Sequence, residues 1–382
     1  MPVSSVLNIL RTIKDRGIIS RTDLQQETGL SWGTITNTTR ELLNRKLIRE
    51  VGAVSTKAGR KPMRLALNPS GHCLIGVEVV SPQGDKRAGS VFCLVINLAG
   101  EVLWDGREEI SEAEKIPDQV AEIVQRAMSS SAMVTRSLMG IGVAVGRGLM
   151  NDSAFKGRME ARLREGEMPV RLESVPNALA IAERWFGAAG AAEDLLCIEL
   201  AESLSMGVLI GGEIFRGSTG AAGSVGHVIV ESEGELCICG RNGCLHMYCS
   251  HEALLTHAAA GGAPARSVEE LAGLAAAGNA GGRRTFERMG KYLGIKISNL
   301  MSLFDPALVV LAGRSLAAEA HFMPELRAQL PAGGGVMGGA IPDSKVVISR
   351  LGERAGAMGA CGIILQAAFD HGELERPGTV GE

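Results

Sequence analysis

No uninterrupted apolar stretch in the 382 residues reaches the length of about 18 that a membrane-crossing helix needs, so a helical membrane span is excluded. The opening Met1-Pro2-Val3-Ser4 has no basic patch leading into an apolar segment, so no secretory signal and a cytoplasmic location are expected. Eight cysteines are too few for a disulfide scaffold in so long a chain. Cys73, Cys93, Cys197 and Cys361 sit inside apolar runs, where a thiol behaves as a small buried hydrophobe. Glycine is plentiful, at 50 residues, but it follows no collagen-like period. With 46% apolar residues and a formal net charge of -3, the chain has material for two or three globular domains.

Charge is spread unevenly. Residues 1–70 hold 12 Lys and Arg against 5 Asp and Glu, a net of +7, which leaves -10 for the rest. An excess of positive charge on a small N-terminal head is the expected footprint of phosphate binding, whereas the acidic body would be repelled by DNA. Within the head, Val6, Ile9, Leu10 and Ile13 recur at helical spacing and stop at Arg16-Gly17. Ser20 and Asp23 form a capping-box pattern for a second helix running through Leu24 to Thr28, and Gly29 suits the tight turn that follows. Ser31 is the expected cap of a third helix from Trp32 to about Arg45, with Ile35, Leu42 and Leu43 on its apolar side. Three short helices with these caps predict a helix-turn-helix whose third helix reads the major groove.

Residues 47–51 and 63–67 then read as two strands of a wing, with Lys57, Gly59, Arg60 and Lys61 at its tip. The roles expected are Thr34, Asn37 and Thr38 at base edges and Ser31 and Arg40 on the backbone of double-stranded DNA. Lys57, Arg60 and Lys61 belong to the wing. A solvated loop is the plain alternative for the wing tip.

After Asn68-Pro69-Ser70-Gly71 the texture changes to strands rich in Val, Ile and Leu alternating with Ala-rich helices, which predicts an α/β body. Cys73 to Leu103 reads as three strands broken at Gly84 and Gly100, and Leu195 to Phe215 as strands broken at Ser203 and Gly211-Gly212. The repeated meander followed by helices predicts two similar lobes with a cleft between them, and periodicity alone does not name the fold. Arg283 to Leu303, with Phe286, Met289, Leu293, Ile297 and Leu300, reads as a core helix. Residues 258–282 read as a connection of short helices, the glycines of 333–339 as a plain connection, and the tail from His371 as frayed.

A more specific signal lies in five stretches: Gly59-Arg60-Lys61-Pro62, Gly220 to His227, Cys237-Ile-Cys-Gly-Arg-Asn-Gly-Cys244, Asp305-Pro306 to Gly313, and Gly352 to Gly359. Together with the winged head, over about residues 5–366, they resemble the ROK family, whose name stands for repressor, open reading frame and kinase. Members with such a head are similar to sugar-responsive bacterial repressors of the xylose and N-acetylglucosamine kinds. The resemblance implies a cytoplasmic transcription regulator on an inactive kinase scaffold, acting as a homodimer on a palindromic operator. Its parts would be a winged helix-turn-helix at 1–70, a first actin-like lobe at 71–190 and a second lobe at 191–382, with the terminal helix free to return to the first lobe.

Cys237, Cys239 and Cys244 within eight residues, preceded by His227, supply four ligands suited to tetrahedral zinc, a structural site with no open position. His246 and Cys249 lie close enough to compete, and a loop of free thiols is the plain alternative. The family pattern favours His227 as the fourth ligand.

The resemblance also exposes departures from kinase chemistry. Where kinases of the family carry their first phosphate loop stands Glu78-Val-Val-Ser-Pro82, and in place of the second stands Glu202-Ser-Leu-Ser-Met206, so no ATP binding is expected. Aligning on Asn177-Ala178, Glu183 and Phe186-Gly187 puts Ser174-Val175 where the catalytic Asp belongs, and no catalytic residue is assigned. Two further sugar-binding carboxylates have become Ser224 and His246, and 146–173 is shortened and charged against the family's sugar-covering loop. A hexose should therefore bind weakly or not at all, and Ser174, Ser224, His227 and His246 are the candidate effector residues. The rival readings are a sugar kinase with an added DNA-binding head and a regulator controlled by a protein partner.

Overall fold

A computed structural model describes residues 5–53, 63–80, 89–110, 112–164, 168–190, 192–330 and 345–370. In the head, α1 (Ser5–Arg16), α2 (Arg21–Thr28) and α3 (Trp32–Asn44) carry a three-stranded sheet of order β1-β3-β2, made of β1 (Ile19–Ser20), β2 (Ile48–Ala53) and β3 (Met63–Leu67). The wing strands fall where the sequence puts them, with β2 running on to Ala53 past a bulge at Gly52. The third strand, β1, is an addition: Ile19 and Ser20 are too few to show a period and form a strand only because β3 pairs with them. Leu7, Ile9, Leu10, Ile13, Leu24, Ile35 and Leu42 close the small core beneath.

The body holds two five-stranded sheets of one topology. In the first, β4 (His72–Val80), β5 (Gly89–Asn97) and β6 (Val102–Ile110) form an antiparallel meander, and β7 (Ser137–Val145) and β8 (Val170–Ser174) add in parallel, giving β6-β5-β4-β7-β8. One face is covered by α4 (Ile116–Met128) and α6 (Ser153–Leu163), after the short α5 (Arg147–Asn151). The other receives α7 (Val175–Phe186) and the last helix, α13 (Ala355–Asp370). That approach is close: a Cβ on Gly142 would overlap the Ala360 carbonyl, and one on Gly359 the Ala178 carbonyl. Glycine is needed there because backbone touches backbone.

In the second sheet, β9 (Leu195–Glu199), β10 (Ser205–Ile210) and β11 (Glu213–Ile214) form the meander, and β12 (Leu308–Ala312) and β13 (Val346–Ile348) complete β11-β10-β9-β12-β13. Its core is shared with α8 (His246–Cys249), α9 (His251–Ala260), α10 (Val268–Ala276), α11 (Ala280–Phe304) and α12 (Glu319–Ala328). The predicted core helix is α11, whose Phe286, Met289, Leu293, Ile297 and Leu300 are buried. Two compact units result: residues 1–186 with 354–382, and residues 187–353. Residues 333–339 and the tail from His371 lie outside the described residues. No described helix is long and apolar enough to cross a membrane.

Candidate metal centre and nucleic-acid interface

The head is set by its caps. Ser20 accepts the Asp23 N–H while the Asp23 carboxylate accepts the Ser20 N–H, the reciprocal box that starts α2. Gly29, at φ +67°, ends it in the left-handed conformation. Ser31 Oγ accepts the Thr34 N–H at 3.1 Å and lies 2.9 Å from Thr34 Oγ1, so α3 begins on a closed turn. Ser31, Gly33, Asn37, Arg40, Glu41 and Asn44 are exposed along this helix. Arg16 and Arg45 pair with Glu27 and Glu41, whereas among the described residues Arg40 pairs with no carboxylate.

Thr38 requires a correction. It is 8% exposed and lies with Ile35, Thr39 and Leu42 on the packed side of α3, three residues from Ile35 and four from Leu42, so it cannot reach a base edge. Thr34 is half-buried with its hydroxyl engaged by the cap, and Ser31, Asn37 and Arg40 remain on the outer face. Lys57, Arg60 and Lys61 lie outside the described residues.

The residues that seat the head on the first lobe gave no signal in the sequence. Arg11 on α1, 6% exposed, stacks 5.4 Å from the Trp185 ring of α7, and Lys14 lies 5.7 Å from Phe186. At the far end of α3, His72 Nε2 lies 2.7 Å from the Arg45 carbonyl oxygen, and Asn68 Nδ2 donates to the Lys46 carbonyl at 2.9 Å. Both contacts hold the residues that leave α3, the cap Arg45 and Lys46 after it.

In the second unit, His227, Cys237, Cys239 and Cys244 converge, their ligand atoms all within 4.8 Å of one another. Cys237 Sγ lies 3.5 Å from His227 Nδ1, and Cys239 Sγ 3.5 Å from Cys244 Sγ. A tetrahedral zinc with bonds near 2.3 Å separates its sulfurs by about 3.8 Å, so three thiols and an imidazole fit such an ion. Backbone turns hold the set: Cys237 N–H donates to the Arg241 carbonyl, Gly243 N–H to Glu235 and Val230 N–H to Gly243. Gly243, at φ +68°, is obligatory because a Cβ there would strike the Glu231 carbonyl. Tyr248, buried and stacked 4.0 Å from Tyr292 of α11, receives the Glu235 N–H on its hydroxyl and ties the loop to the core.

The thiols differ electrostatically. Hydrogen bonds from the Arg241 backbone and then its side chain hold Cys239 down to about 6, while burial first, and its neighbouring thiols next, push Cys244 up to about 12. The two residues that could have competed stand apart. Cys249 is buried with its thiol turned to the Met289 carbonyl, and the His246 ring stacks on His227 at 5.7 Å without joining the ligand set. Burial, followed by the His227 charge, lowers the His246 pKa.

The other expected positions divide between the units. Ser174 ends β8, buried, with its N–H donated to Glu173, whose carboxylate also accepts from Asn177 Nδ2. Val175 opens α7. Ser224 is exposed, and its hydroxyl donates to the Ala221 carbonyl. Glu78 packs against Gly356 in the first turn of α13, where a Cβ would overlap its carboxyl group. Glu202 lies 3.4 Å from Nδ1 of the buried His251, and Glu199 accepts the Ser205 hydroxyl at 2.7 Å.

The ROK family model matches residues 93–367. The chain belongs to the ROK family. Its winged head and its likeness to repressors over nearly its whole length make it a DNA-binding transcriptional regulator of that family. It is 28% identical to a putative xylose repressor of Caldicellulosiruptor sp., covering 84% of this chain and 86% of that one. Among solved structures, a ROK family transcriptional regulator described as a homologue of the E. coli MLC protein superposes with a TM-score of 0.74 at 23% identity, over 96% of each chain. A ROK family glucokinase from Streptomyces griseus, in complex with glucose and AMPPNP, superposes with a TM-score of 0.62 at 24% identity, over 77% of this chain and 99% of that one.

Proposed function

We propose that the protein is a repressor whose ROK body forms a homodimer and sets two α3 helices on successive major-groove faces of a palindromic operator. The observation that carries this reading is the capped α3, with Ser31, Asn37 and Arg40 outward on a head of net charge +7. Base contact falls to Asn37, backbone contact to Ser31 and Arg40, and the basic wing tip follows a neighbouring groove through Lys57, Arg60 and Lys61. Titration of operator DNA over a salt series tests it: Arg60→Ala should weaken binding and lower the salt slope by about one. An unchanged slope removes Arg60 from the interface.

His227, Cys237, Cys239 and Cys244 bind one structural zinc. With every ligand from the protein, the ion ties the loop to the second lobe and takes no part in chemistry. Metal analysis should find about one zinc per chain, and a folded, metal-free protein would overturn this.

The body does not transfer phosphate. Val175 cannot accept a proton, Glu78 places a carboxylate at the start of α13, and Glu202 brings a second negative charge to the other hairpin. ADP release on adding glucose or N-acetylmannosamine with ATP would reverse this conclusion. The candidate effector residues are Ser174, Ser224, His227 and His246. Thermal unfolding against sugars, sugar phosphates, amino sugars and nucleotides identifies the ligand class, because a compound preferring the native state raises the midpoint. Silence across the panel with DNA binding intact would make the body a scaffold or the target of a protein partner.

A further inference from the structure

Trp32 is the first residue of α3 and is 50% exposed, a large apolar side chain left in water at the end of a DNA-reading helix. Among the described residues its ring takes part in no aromatic or cation–π contact and its indole N–H in no hydrogen bond. Beside it, Gly33 leaves the approach open, since a Cβ there would meet nothing nearer than Ser31 Oγ at 3.8 Å. The exposed stripe continues through Asn37, Arg40 and Asn44, and Trp32 stands at its N-terminal edge. Helical side chains lean toward the N-terminus, so the indole projects past the helix end, the end that approaches base edges.

The chemistry narrows the target. An indole has one N–H donor and no acceptor, so it cannot make the bidentate bonds that identify guanine or adenine. What it offers is an apolar face. Thymine alone presents a methyl group in the major groove. The head's charge of +7 supplies the attraction to phosphate that brings such a face into the groove.

We propose that Trp32 is a specificity-determining residue that reads one T·A pair in each half-site by packing its indole on the thymine methyl. This rests on the DNA-binding reading above and adds to it a base identity.

The test uses the full chain and a random duplex library. Wild type, Trp32→Ala and Trp32→Phe are each used to select binding sequences, and the thymine so identified is then replaced by deoxyuridine, which lacks only the methyl. The wild type should enrich thymine at one position per half-site. Trp32→Ala should lose that preference while keeping the others, and Trp32→Phe should retain it. Deoxyuridine should weaken wild-type binding about four-fold, the value of one buried methyl, and leave Trp32→Ala unchanged. Identical preferences for wild type and Trp32→Ala at every position, or wild-type indifference to deoxyuridine, would overturn the assignment. A wild type that enriches no sequence would overturn the DNA-binding reading and this inference with it. Trp32→Phe keeps a ring at this half-exposed position and should share the wild-type unfolding midpoint, and loss of the thymine preference in Trp32→Ala with the other preferences kept separates a reading role from a structural one.

Discussion

The two sheets of the body share one strand order and are stabilised in different ways. In the first, β4, β5, β6 and β7 each run nine residues, and α13 returns from the far end of the chain to lie against β4 and β7. In the second, β11 has two residues and β13 three, and the stretch from Phe215 to Leu245 contains only isolated bridges and one turn of 3-10 helix. Long strands bury enough apolar surface to hold themselves. The second sheet's short strands pack instead against the core that α8 to α12 supply, and the four-ligand cluster sits in the irregular loop beside them. One topology thus rests on long strands under α13 in one lobe and on short strands under a layer of helices in the other, where the proposed zinc would add a further tie.

Removing the proposed zinc should produce the largest difference between the lobes. Chelation, or Cys244→Ala, should lower the unfolding midpoint by about 10 °C and expose residues 220–250 to hydrogen exchange while β4 and β7 keep their protection. Equal loss of protection in both sheets would show that the lobes do not differ as described. The reverse perturbation is Gly142→Ala, whose Cβ must displace the Ala360 carbonyl of α13. It should cost about 3 kcal/mol in urea unfolding and leave the zinc content unchanged.

Acidification sharpens the comparison on one side only. Zinc binds thiolates, and the Cys244 thiol, raised to about 12, must release its proton on binding at neutral pH, whereas Cys239, near 6, is already largely ionised. Apparent zinc affinity should therefore rise with pH, by about tenfold per unit for each proton released, and fall further below pH 6 as Cys239 is protonated. A flat profile between pH 6 and 8 would contradict this. The smallest effect expected is that of Thr38→Val. Facing the packed side of α3, it should leave operator affinity within about twofold, whereas Arg40→Ala should weaken binding and flatten its salt dependence.

Much of this was legible in the sequence where the determining contacts are local. The Ser20–Asp23 box, Gly29 and the Ser31 cap each act within about four residues, so the head's helices stand where the spacing puts them. The metal ligands are 17 residues apart at most, and their turn glycines mark the path between them. Thr38 was misread for a physical reason: threonine is polar enough to suit a surface and small enough to be buried, so residue type does not decide, and only the neighbours at three and four residues do. The β1 strand, two residues long, carries no period at all.

Contacts between distant segments left no trace of that kind. Arg11 against Trp185, His72 against the Arg45 carbonyl and Gly142 against Ala360 join residues tens to hundreds of positions apart, and nothing in either segment alone names its partner. By itself the sequence determined the helix-turn-helix head and the grouping of His227 with Cys237, Cys239 and Cys244, because each depends on residue identity and short spacing. The tertiary structure alone decided which face of α3 is exposed, how the head is seated on the first lobe and which sheet α13 completes, because each depends on close packing between surfaces that meet only once the chain has folded.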